Sequence, residues 1–140
     1  MLKKILPLLF ILLFLSCESD TVNNNNPFLP NYSFSINVDL NLPSNANLQF
    51  PSNAKYINLN GAGIRGIIVF NTGSGFNAFD AACPNQNLSD CSTMTISGIN
   101  ATCPCDNKSY NLFTGQSEGM QYPMKRYAVE VNGNSLRIFN

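Results

Sequence analysis

The chain is 140 residues long, with eight basic and eight acidic residues, five cysteines and no histidine. One domain fits that length, and the absence of a basic cluster argues against nucleic acid as a partner. Without an imidazole, neither a Ser-His-Asp nor a Cys-His catalytic arrangement can be built, so the expectation is that the protein is not an enzyme.

The N-terminus reads MLKKILPLLFILLFLSCESD. Lys3 and Lys4 precede an apolar run from Ile5 to Leu15, too short to span a bilayer and suited to the core of a signal peptide. Leu15-Ser16-Cys17 resembles the lipobox of bacterial lipoproteins, in which the cysteine is lipidated and becomes the first mature residue. That resemblance implies a signal peptide over 1–16 and a lipid anchor on Cys17. It places the protein in the cell envelope, with Glu18 and Asp20 pointing to an outer-membrane, periplasmic or surface-side location. Loss of Lys3 and Lys4 leaves six basic and eight acidic groups, a net charge near −2. Residues 17–31, including TVNNNNPFLPN, read as a polar, proline-punctuated, disordered tether.

From residue 32 the pattern changes to that of a sheet. In YSFSINVDLNL, Tyr32, Phe34, Ile36, Val38, Leu40 and Leu42 fall on one face of a strand and polar residues on the other. GAGIRG (61–66) has glycines but no following helix, so it reads as a turn and not a dinucleotide loop. The apolar run within IRGIIVF (64–70) predicts a buried strand, NTGSG a turn, and FNAFDAA (76–82) its hairpin partner. RYAVEV and SLRIF flank Asn132-Gly133-Asn134, and the Asn-Gly pair predicts a hairpin turning at Asn132-Gly133, with Tyr127, Val129 and Val131 sharing a face. No stretch keeps a helical period. The expectation is an antiparallel all-β domain of eight to ten short strands.

Between the predicted hairpins lies CPNQNLSDCSTMTISGINATCPCDN (83–107), which holds Cys83, Cys91, Cys103 and Cys105. Together with FNAFDAACPN before it, SYNLFTGQ and QYPM after it, and the closing hairpin, it resembles the Rieske ferredoxin family over residues 66–140. That resemblance implies a small antiparallel sandwich or barrel with two cysteine-bearing loops at one tip, within a domain spanning 32–140. Cys83 and Cys103 match the family's cysteine ligands, while Asn85 and Asp106 fall where it has histidines. In a Rieske centre two imidazoles hold the second iron. An asparagine amide is a poor substitute for iron, and an aspartate would lower the potential. The expectation is therefore no cofactor, the alternative being a 2Fe-2S electron-transfer protein with atypical ligation. The cysteine spacings also miss the usual zinc knuckle.

With Cys17 acylated, four cysteines remain in an exported chain, and disulfides are the default. A Cys103–Cys105 bridge across one proline is geometrically disfavoured. The resemblance implies Cys91–Cys105, which leaves Cys83 opposite Cys103. On this reading the protein is a membrane-anchored binding or structural module with a disulfide-stapled, cluster-free domain, its protein or redox partner unnamed by the sequence. Asp80 and Asp106 are placed near the loops, with no distance between them given by sequence. Lys125-Arg126 reads as a solvated basic pair, and four Asn-x-Ser/Thr matches (Asn31, Asn87, Asn100, Asn107) as chance in an asparagine-rich chain.

Overall fold

The structure, a computed structural model, describes residues 25–140. The signal peptide, Cys17 and the first part of the expected tether lie outside the described residues.

Among the described residues nine strands form two antiparallel sheets, in keeping with the all-β expectation. They are β1 (Ser35–Asp39), β2 (Ala54–Ile57), β3 (Ile67–Asn71), β4 (Phe76–Asp80), β5 (Thr95–Ser97), β6 (Asn100–Thr102), β7 (Ser109–Asn111), β8 (Arg126–Asn132) and β9 (Ser135–Phe139). The larger sheet runs β1-β9-β8-β4-β3-β2, and the smaller runs β5-β6-β7.

β3 lies between two apolar cores and is buried along its whole length. Ile68 and Phe70 face the smaller sheet with Phe79, Met94, Ala101, Tyr110 and Leu112. Ile67 and Val69 face the opposite way, towards Val38, Leu48, Ala78, Tyr127, Leu136 and Ile138. Successive side chains point to opposite faces, so a strand covered on both sides loses the polar alternation that marks a half-exposed one. This is why IIVF is continuously apolar while β1 alternates. In β1 the predicted face is correct, with Val38 buried and Phe34 and Ile36 packed beside it. The alternation outruns the strand: Tyr32 and Leu42 are exposed.

Between β1 and β2 the chain forms a 3-10 helix, Pro43–Gln49, which no helical period announces. Its seven residues are too few to repeat an apolar stripe, and only Leu48 and Asn45 are buried. The turn before β3 is held open by Gly66, whose φ is +90° and where a Cβ would meet the Tyr56 ring at 2.6 Å.

Residues 26–31, expected as part of a disordered tether, instead pack on the domain. Leu29 is buried, and the Asn26 side-chain amide donates to the Pro84 carbonyl at 2.7 Å. Phe28 meets Tyr122 edge-on at 6.0 Å, and the Lys125 ammonium donates to the Asn31 side chain. A two-residue apolar pair, Phe28-Leu29, among asparagines and prolines gives no periodicity, so its docking leaves no mark in the sequence pattern.

Candidate functional site: two facing cysteine loops

β4 ends at Asp80, a buried carboxylate. It accepts hydrogen bonds from the Ile64, Arg65 and Ala82 backbone N–H groups and, at 2.6 Å, from the Tyr127 hydroxyl. Burial, reinforced by the Asp80 charge, pushes the Tyr127 hydroxyl well above its ordinary range. The GAGIRG segment is indeed a turn, and its N–H groups serve this carboxylate. Asp80 does not pair with Asp106; it fixes the base of the first cysteine loop.

That loop starts two residues after Ala81. Cys83 donates its backbone N–H to Ser92 at 2.8 Å, and Met94 donates to Ala81 at 2.7 Å, so the chain leaves and returns as a closed loop. The second loop is the turn of the β6–β7 hairpin, where Thr102 pairs with Ser109. Cys103 N–H donates to the Lys108 carbonyl at 2.9 Å, and Asn107 takes a positive φ of 57° to reverse the chain. Asparagine tolerates that conformation better than most residues.

The two loops face each other. Cys83 and Cys103 come to disulfide distance with their Cα atoms 5.6 Å apart, and Cys91 and Cys105 do so at 5.2 Å. Both separations lie within the range of ordinary disulfides. Cys83 and Cys103 are buried, Cys105 is half-buried and Cys91 is exposed. The Cys83, Cys103 and Cys105 sulfurs all lie within 4.8 Å of one another.

Asn85 and Asp106 have other partners. The Asn85 amide donates to the Tyr110 hydroxyl and the Tyr122 carbonyl, both at 2.8 Å, and its oxygen accepts from Tyr122 N–H at 2.9 Å. Burial raises the Tyr110 hydroxyl, with the Asn85 hydrogen bond working against it. Asp106 accepts from the Lys108 N–H at 2.9 Å, a local turn contact. An amide turned to a neighbouring loop and a turn-capping carboxylate do not make the ligand shell of a second iron. The donor set does not fit a Rieske cluster.

Three polar side chains that the sequence did not single out line the sulfurs. Ser89 Oγ lies 3.3 Å from Cys91 Sγ and 3.7 Å from Cys105 Sγ. Ser92 Oγ is 3.9 Å from Cys105 Sγ, and the Gln86 amide reaches Cys103 Sγ at 3.6 Å. Ser and Gln are unremarkable in a loop, so composition gave no signal for them. Lys125, expected to be solvated, is buried, and burial lowers its pKa.

No protein-family model matches the chain, and no curated protein does. Among solved structures the chain is similar to one in a complex of reduced oxygenase and oxidised ferredoxin in carbazole 1,9a-dioxygenase. The identity is 24%, over 64% of this chain and 82% of that one, with a TM-score of 0.46. A Sphingomonas yanoikuyae B1 ferredoxin is 20% identical over 65% of this chain and 88% of its own, TM-score 0.45. The ferredoxin of carbazole 1,9a-dioxygenase from Nocardioides aromaticivorans IC177 is 17% identical over 64% and 86%, TM-score 0.42.

Proposed function

We propose that this protein is an exported, lipid-anchored module whose Rieske-like loops are cross-linked instead of holding a cluster. It acts as a binding or structural element at an envelope membrane and catalyses no reaction through a metal centre. The observation that carries this reading is the use of Asn85: its oxygen is taken by Tyr122 N–H and its amide by Tyr110 and Tyr122. Asp106 at the other histidine position caps its own turn. With no histidine anywhere in the chain, no distant imidazole replaces them.

The test is an iron and acid-labile sulfide assay on protein purified from its native envelope, combined with non-reducing peptide mapping. The expected result is no iron, with Cys83 joined to Cys103 and Cys91 to Cys105. About two iron atoms per chain with Cys83 and Cys103 unoxidised would restore the electron-transfer reading. The anchor is tested separately: Cys17→Ser is expected to release the protein from membranes or block its processing, and wild-type partitioning of the variant would overturn it.

A further inference from the structure

The two cysteine pairs differ in access and share a contact. Cys91–Cys105 is open to solvent at Cys91, whereas Cys83–Cys103 is buried. Cys105 belongs to the first pair, yet its sulfur lies within 4.8 Å of both sulfurs of the second. Disulfides exchange when a thiolate attacks one sulfur and expels the other, at a rate set by access and by the leaving thiolate's stability. Cys105 is therefore placed both to leave one bond and to attack another.

From this geometry, and resting on the cross-linked reading above, we propose that the four cysteines form a thiol–disulfide relay that takes two electrons from an external thiol or dithiol. In the first step the external thiolate attacks exposed Cys91. A mixed disulfide forms there, the Cys91–Cys105 bond breaks, and Cys105 leaves as a thiolate. Ser89 and Ser92 hydroxyls lie 3.7 and 3.9 Å from that sulfur and can donate to it. Ser92 Oγ accepts from Ser89 N–H at 2.7 Å, so its own hydrogen can turn either to the sulfur or to Ser89 Oγ, 3.3 Å away.

In the second step the Cys105 thiolate attacks Cys83, the Cys83–Cys105 bond forms, and Cys103 leaves. Attack on Cys103 instead would make a Cys-Pro-Cys bridge across one residue, which disulfide geometry disfavours. The donors point the same way: the Gln86 amide lies 3.6 Å from Cys103 Sγ and supports charge on that sulfur. Cys83 Sγ instead faces the Cys91 carbonyl oxygen at 4.0 Å, a negative dipole end that disfavours charge on that sulfur. In the third step a second external thiolate resolves the mixed disulfide at Cys91, and the partner departs oxidised. The protein is left with one disulfide, Cys83–Cys105, and two thiols, Cys91 and Cys103. Two electrons have entered and no metal is involved.

The experiment uses full-length protein first shown to be free of iron. It is mixed with limiting reduced glutathione, quenched in acid, alkylated and mapped over time. Wild type is expected to show glutathione on Cys91, a Cys83–Cys105 bridge and alkylated Cys103. Cys105→Ser removes the attacking sulfur and is expected to slow loss of Cys83–Cys103 by about tenfold or more, since that pair must then react directly with solvent thiol. Cys91→Ser removes the same staple but keeps the attacker, and is expected to expose Cys103 to alkylation with no thiol added. A merely structural staple predicts that both variants open the loops alike. Equal or faster loss of Cys83–Cys103 in Cys105→Ser overturns the relay. If that variant does not fold, glutathionylated Cys91 in wild type without any Cys83–Cys105 bridge overturns it equally. Iron in the purified protein defeats the cross-linked reading itself, whereas an iron-free, doubly bridged protein that never rearranges defeats the relay alone.

Discussion

β3 buries every one of its five residues between two apolar layers, whereas β5, β6 and β7 are three residues each and bury only Ala101 and Tyr110 fully. The larger sheet is thus held by the burial of long apolar side chains, at roughly 1.5–3 kcal/mol for each one fully buried. Two cysteine pairs instead clamp the smaller sheet at its loops, and apolar packing supports one face of it. A sheet this small depends on its packed apolar face for stability. One half of the domain is held mainly by buried apolar side chains. The other half is held at its loops by two cysteine pairs at disulfide distance.

The largest effect expected from breaking this contrast falls on Asp80, where the two halves meet. Replacing it by alanine leaves three backbone N–H groups and the Tyr127 hydroxyl without their acceptor in a buried site. Unsatisfied buried donors cost about 1–3 kcal/mol each when not rehydrated, so a loss of at least ~3 kcal/mol is expected in urea denaturation, with both sheets unfolding together. The same network gives an alkaline signature. The Tyr127 pKa is raised in the folded state, so its contribution is complete below about pH 10 and is lost as pH climbs further. Lys125 works in the opposite sense, its pKa being lowered, but about one pH unit above its unfolded value of 10.5 it is nearly neutral both folded and unfolded. Stability should therefore fall with rising pH above about 11.5, and less steeply in Tyr127→Phe.

A smaller and more local effect is expected from the cysteines. Removing the Cys83–Cys103 pair as Cys83→Ala with Cys103→Ala should cost about 2–4 kcal/mol, chiefly by freeing the unfolded chain. Amide exchange should rise first in β5–β7, while β3 and the β8–β9 hairpin keep their protection. Uniform loss of protection across both sheets would show that the smaller sheet is not a separable unit.

This division also explains what could be read from the sequence. Strands β1, β3, β4, β8 and β9 have five to seven residues, long enough for period two or an unbroken apolar run to stand out. β5 to β7 are too short for any period to show, and their place emerged only through the resemblance carried by the cysteine triplets. The contacts of Gln86, Ser89 and Ser92 with the sulfurs depend on two loops meeting across thirteen or more positions of chain, which no local pattern encodes. Leu29 gives no signal for a related reason: a short apolar pair, Phe28-Leu29, in a polar stretch looks the same whether it docks or not.

The smallest effect concerns the β8–β9 turn, where the sequence and the structure differ by one residue. An Asn-Gly pair predicts a turn centred on Asn132 and Gly133. In the structure Asn132 pairs with Ser135, so the two central residues are Gly133 and Asn134. Gly133 has a φ of +59°, and Asn134 is not among the residues with positive φ. A glycine first in the loop, followed by a residue of negative φ, is the requirement of a type II′ turn rather than type I′. The side-chain faces survive, since Tyr127 remains buried and Val131 lies on the same side at the exposed end. Asn132 is now a strand residue, and strands favour β-branched side chains. Asn132→Val is therefore expected to change stability by no more than about 0.5 kcal/mol. Gly133→Val meets nothing within 4 Å, so its cost comes from the backbone alone. A β-branched residue forced to positive φ should lose about 1–2 kcal/mol. Thermal unfolding of the two variants side by side separates the registers, because a turn centred on Asn132-Gly133 would require positive φ at both positions and penalise both substitutions alike.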